Sequence, residues 1–223
     1  GDANTFVYLT SGFNSVTDAY LAAEIEHLLR GDFLDATLAQ LCARGQWDGF
    51  ADFARAVEAL EAAHRAGTPP ADVAGPDGHV HDGIVVADAA VRRAESVILV
   101  GVLMETLKEA LGQNIWPRPL DGVPETPHQW SAALRPVLRW LLDTYLPDHQ
   151  DGAKDAPLVQ LLKGCIRETE CGRMWELFDV PRRSVQHLRS RFYTGDFWTP
   201  NPTLEGDAAP MAALLEEAKP DVV

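Results

Sequence analysis

The chain has 223 residues, of which 46% are hydrophobic, and a formal net charge of −14. That apolar content suffices for a real core in one large or two small domains, and 23% charged residues exclude wholesale disorder. A sequence pI near 4.8 excludes a broad nucleic-acid surface, because phosphate binding needs concentrated cations, so any RNA contact must be local.

The opening "TFVYLTSG" reads as a buried strand, Phe6 to Leu9, delivered into a Thr-Ser-Gly turn. Behind it, "SVTDAYLAAEIEHLLRG" places Val16, Ala19, Tyr20, Ala23 and Leu28 near a helical period, with Ser15 as N-cap and Gly31 as stop. Strand, tight turn and helix in that order form one βα unit of a parallel sheet, and one such unit cannot stand alone. The expectation is therefore a chain truncated at its N-terminus, or a first strand that joins another chain's sheet. From Asp32 the periodicity is helical: "DFLDATLAQLCARG" and "WDGFADFARAVEALEAAHRAG" each end near glycine and read as an antiparallel helix pair.

Residues 67 to 83 form a Pro/Gly-rich loop. A long helix follows, from about Val85 to Leu111, then the proline-punctuated "WPRPLDGVPETPHQW". Further helices are predicted over Ser131 to Tyr145, over Pro157 to Phe178, and from Pro181, where Asp179 can cap just ahead of the proline. A Pro-rich tail from Thr199 ends in a short helix near Met211. The body is mainly α.

No apolar run approaches the roughly 20 residues that cross a bilayer. The longest, "SVILVGVLMETL" from Ser96, meets Glu105 and Lys108, and no charged-then-apolar leader opens the chain. Cys42, Cys165 and Cys171 are odd in number and follow no metal spacing, which suits a reducing cytoplasm. "HVHD", His79 to Asp82, offers two imidazoles and a carboxylate but no third ligand at recognisable spacing. Gly78 and Gly83 also argue against the helix that a His-Asp phosphohydrolase pair needs. No metal or cofactor is expected.

Two stretches carry more chemistry. "LTSGFN" ends a parallel strand and feeds a helix N-terminus, where backbone N–H groups and the helix dipole favour an anion. Thr10 and Ser11 add hydroxyl donors, Gly12 the turn, and Asn14 could read a base or ribose; an ordinary, self-capped βα turn is the plain alternative. "RRSVQHLRSRFY", Arg182 to Tyr193, is the most basic run of an acidic chain. Arg182 and His187 are five apart, about 140° around a helix, so they share a groove only where helices cross. A metal-free ribonuclease could use such a pair, with histidine as general acid or base and arginine stabilising the phosphate in flight. Chance supplies about half of one R-x4-H pair in a chain of this composition.

Taken together, the βα unit with "LTSG", the helical opening "LLRGDFLDATLAQL" and the late R-x4-H resemble the CARF–HEPN effectors of type III CRISPR systems. The resemblance covers about residues 5 to 40 and 180 to 190; Arg183 stands where the family usually has Asn, Asp or His, and no glycine trails His187. It implies the end of a Rossmann-like sensor over 1–30, a helical HEPN-like domain over 31–198 and a tail over 199–223. It further implies a metal-independent, homodimeric endoribonuclease that cleaves single-stranded RNA and is activated by cyclic oligoadenylate. Arg182 and His187 would be catalytic, Arg183, Arg189 and Arg191 would contact RNA, and Thr10, Ser11, Gly12 and Asn14 would meet the nucleotide. The alternative, from a different class, is a non-enzymatic helical adaptor or subunit in which Trp130, Trp140, Trp175 and Trp198 anchor a partner.

Overall fold

Thr17 starts the first helix: its side chain accepts a hydrogen bond from the Tyr20 amide at 3.1 Å, with Asp18 in the first turn. The chain's computed structural model describes residues 5–9, 12–44, 89–150, 153–176, 178, 180, 184–190 and 203–219. Ser15, the predicted cap, belongs instead to a short 3₁₀ turn, Phe13–Ser15, where its hydroxyl donates to the Gly12 carbonyl at 2.7 Å. Gly12 permits this turn because it sits at φ +67°, a left-handed conformation that costs a glycine little.

Helix α1, Asp18–Leu29, buries Leu21, Ile25, Leu28 and Leu29. Gly31 at φ +56° then reverses the chain into α2, Phe33–Arg44, which buries Leu34, Leu38 and Leu41. Helix α3, Ala89–Gly112, is buried continuously from Ser96 to Leu103, the signature of a helix covered on all sides. Its main neighbours are α2 and α5, Pro157–Glu176.

Helix α4, Pro127–Trp140, starts four residues before the predicted Ser131 because Thr126 and Gln129 form a reciprocal capping box. The Gln129 amide donates to Thr126 Oγ1 at 3.3 Å, and Gln129 Oε1 accepts from the Thr126 amide at 3.0 Å. Pro127 fits the first helical turn, where its missing N–H is no loss. Thr126→Ala should cost about 1 kcal/mol, read as a lower urea midpoint at unchanged slope. Beyond Trp140 the helix widens into a π-helical segment, Leu141–Tyr145, and closes with the turn Leu146–Asp148.

One apolar cluster runs from Val16 to Ile166, so α1 shares its core with α2 to α5. Leu21, Leu34, Leu107, Leu134, Leu138 and Leu162 are among its fully buried members. Across it, Asp35 of α2 accepts from the Ser131 hydroxyl at 2.5 Å and from Arg135 at 2.8 Å, both on α4. The last described helix is α6, Leu204–Ala218, capped by Thr203. No described helix is long and apolar enough to cross a membrane.

Two corrections concern the strands. Strand β1, Phe6–Tyr8, does not await another chain: it pairs in parallel with β2, Val185–His187. The register is Phe6 to Val185, Val7 to Gln186 and Tyr8 to His187, and the ladder continues as the Leu188 and Ser190 amides donate to the Tyr8 and Leu9 carbonyls. The helix predicted over Arg182–Tyr193 is therefore replaced at Val185–His187 by a strand, and Leu188–Ser190 are not helical either. The orphan backbone groups of β1 need a ladder, and that distant demand overrides local helical preference. The second helix of the predicted pair, the Pro/Gly loop and His79 to Asp82 lie outside the described residues.

Candidate functional site

Tyr8 and His187 face each other across the parallel ladder, so their side chains leave the same face of the sheet. Their rings stack with centroids 5.1 Å apart and planes 16° from parallel. In the same layer Trp175 of α5 stacks on Phe6 at 4.0 Å and donates its Nε1–H to the Tyr8 hydroxyl at 2.8 Å. His187 is thus a member of an aromatic layer that fastens the sheet to α5. Arg182, Arg183 and Arg191 lie outside the described residues, so the pairing of Arg182 with His187 does too.

Arg189 adopts φ +50°, unusual for a residue with a side chain, and aims its guanidinium inward. The fork grips Glu168 through Nε and Nη2, each at 2.7 Å, and Nη1 also donates to Glu109 of α3. Its Nη2 lies 3.7 Å from Cys165 Sγ. The Glu168 bond outweighs burial and holds the Arg189 pKa above its ordinary value. Burial pushes the Cys165 thiol up to about 11, so it stays a protonated, inert thiol near neutrality. Arg189 therefore clamps the chain after β2 onto α3 and α5.

Of the predicted anion loop, Thr10 and Ser11 lie outside the described residues. Gly12 packs close to Arg167, whose Cγ would lie 3.3 Å from an added Cβ, and Asn14 is exposed in the 3₁₀ turn. At the N-terminus of α1 the carboxylate of Asp18 already stands at the positive end of the helix dipole.

A third cluster, unforeseen in the sequence, joins residues far apart in the chain. Lys163 of α5 donates to Asp18 Oδ1 at 2.6 Å and to Asp155 Oδ2 at 2.8 Å. His149, just beyond the turn Leu146–Asp148, meets Asp18 Oδ2 through Nδ1 at 2.7 Å. Its Nε2 lies 3.6 Å from Asp155 Oδ1, too far for a hydrogen bond but within ion-pair reach. The Lys163 ammonium, the His149 imidazole and two carboxylates thus alternate in a closed ring. Tyr145 stacks on His149 at 5.2 Å, accepts from the Ala156 amide at 2.7 Å and meets Asp155 Oδ1 at 3.2 Å.

The titration shifts follow from this geometry. The Asp18 hydrogen bond, against the opposing effect of burial, raises the His149 pKa above an ordinary imidazole's. Burial alone would raise the Asp18 carboxyl, but hydrogen bonds from Lys163 and His149 outweigh it and hold it below the usual carboxylate value. Burial pushes the Tyr145 phenol up to about 12, so it remains a neutral donor and acceptor.

Asp18, His149 and Asp155 are the described donors whose spacing comes nearest to that of a metal site. The Lys163 ammonium, however, holds the position between the carboxylates that a metal ion would need. The cluster is built for ion pairing.

A cleft of about 220 Å³ opens between α1, α3 and α5, with buried Ile98, Val102 and Ile166 beneath and Tyr20, Glu24 and Arg173 around it. It is smaller than the roughly 300 Å³ at which small-molecule sites begin. Of the tryptophans read as partner anchors, Trp130 is a core residue, Trp140 is half-buried against the core, Trp175 stacks on Phe6, and Trp198 lies outside the described residues. Comparison with protein-family models, curated proteins and solved structures gives no match, so the likeness to CARF–HEPN effectors rests on the quoted motifs alone.

Proposed function

We propose that this chain is a non-enzymatic helical subunit that presents α6 to a partner. One observation carries the reading: α6 has no buried residue, and Leu204 at its start is 87% exposed. Exposed Leu204 and half-buried Met211, Leu214 and Leu215 fall within one arc of the helix, a face only partly covered among the described residues. Its described polar tie to the body is slight, a hydrogen bond from the Ser190 hydroxyl to Asp207 at 2.7 Å. Recognition of one helix by a partner's apolar groove uses this kind of arc.

The test is purification of the tagged full chain from its native cell. A stoichiometric partner, or a second copy of the chain seen by light scattering, should be retained. Leu204→Glu should release it without lowering the melting temperature. Metal-free cleavage of single-stranded RNA, lost in His187→Ala and stimulated by cyclic oligoadenylate, would instead establish the ribonuclease reading with Arg182 as the second catalytic group.

A further inference from the structure

We propose that the ring of Asp18, His149, Asp155 and Lys163 is a proton-operated latch. In it, protonated His149 holds the first turn of α1 against the turn Leu146–Asp148 and the start of α5. The elements packed around His149 contribute Asp18 from α1, Tyr145 from the π-helical segment, Asp155 and the Lys154 backbone from the connection to α5, and Lys163 from α5. With both His149 and Lys163 cationic, the two carboxylates are balanced. With His149 neutral, the ring keeps one uncompensated negative charge where water is scarce, which is costly.

Asp18 is the member able to relieve that imbalance by moving. Its side chain is 23% exposed, against 8% for Asp155, 6% for Lys163 and 11% for His149. Asp18 lies in the first turn of α1, directly after the Thr17 cap and the Phe13–Ser15 turn that follows β1. Swinging Asp18 toward solvent therefore loosens the α1 start and the connection from Gly12 to Thr17. On the other side, the π-helical segment Leu141–Tyr145 supplies the Tyr145 ring that stacks on His149.

The direction with pH follows from the shift of His149. Its folded pKa lies above the ordinary value, so the latch is closed below about pH 6.5, and opens as pH rises through the folded value. Nuclear magnetic resonance of the full chain tests this. The His149 ring protons should titrate with a midpoint above about 6.5. Exchange protection of the Tyr20 and Leu21 amides, corrected for base catalysis, should fall with that same midpoint. Neutral His149→Gln should show low protection throughout, and cationic His149→Lys should keep the amides protected on the alkaline side. A His149 midpoint at or below about 6.5, protection that does not change through the step, or a step that survives in both variants would overturn the latch.

Discussion

Lys163→Met should lower the stability of the folded chain by about 3–5 kcal/mol, the cost of leaving buried charges without their partner. Methionine matches the lysine stem in length, so the change removes the ammonium with little loss of packing. Asp18 and Asp155 would then face each other with His149 as the only cation left between them. Urea unfolding should show a lower midpoint at an unchanged slope. Adding Asp155→Asn should recover part of the loss, since it removes the second of two like charges; the double-mutant cycle isolates the coupling. A loss under about 1 kcal/mol, the range of exposed ion pairs, would mean that water reaches the ring freely.

Arg189→Ala should cost about 2 kcal/mol, between the values for exposed and buried ion pairs. The guanidinium is 37% exposed, but Glu168 is only 12% exposed and would lose both arms of a bidentate grip. Damage should appear first in the two-stranded sheet, because Arg189 lies two residues beyond β2, and Trp175 fluorescence should report it through the stacking on Phe6. Arg189→Gly should be milder than Arg189→Ala. Glycine takes φ +50° without the steric cost of roughly 1 kcal/mol that a Cβ brings in the left-handed region. If the two variants are equally damaging, the backbone at this position carries no strain.

The helices were legible in the sequence because their signals are local. The period of α1 was legible but its face was not: of the apolar residues read there Val16 and Leu28 are buried, whereas Ala19, Tyr20 and Ala23 are exposed and Leu21, Ile25 and Leu29 face the core. Gly31 ends α1 by geometry, and Thr126 with Pro127 carries a start signal that a start at Ser131 passes over. What the sequence hid was pairing at a distance. Val185–His187 has no strand signature of its own and becomes one only because Phe6–Tyr8 needs a partner. Arg189 falls in the sequence among the arginines expected to contact RNA because Glu168 and Glu109, which pair with it, stand 21 and 80 positions away. The ring was equally hidden: Asp18 lies 131 positions before His149, and "LPDHQDGAKD" reads locally as a polar connection. Even the N-cap slipped from Ser15 to Thr17, since a 3₁₀ turn built on Gly12 uses the serine first.

The pairing of position 6 with position 185 also fixes an order of events during synthesis. At ribosomal speeds β1 waits roughly 10–35 s for its partner to be made. Meanwhile α1 to α5, with the segment Leu141–Asp148 after α4, contain all of the residues of the main apolar cluster after Val16 and can collapse without it. Strand β1 spends that interval as an unpaired edge, the form in which strands most readily join the wrong neighbour. A nascent chain stalled before Val185 would keep α1 to α5 yet display this edge continuously until Val185–His187 is made.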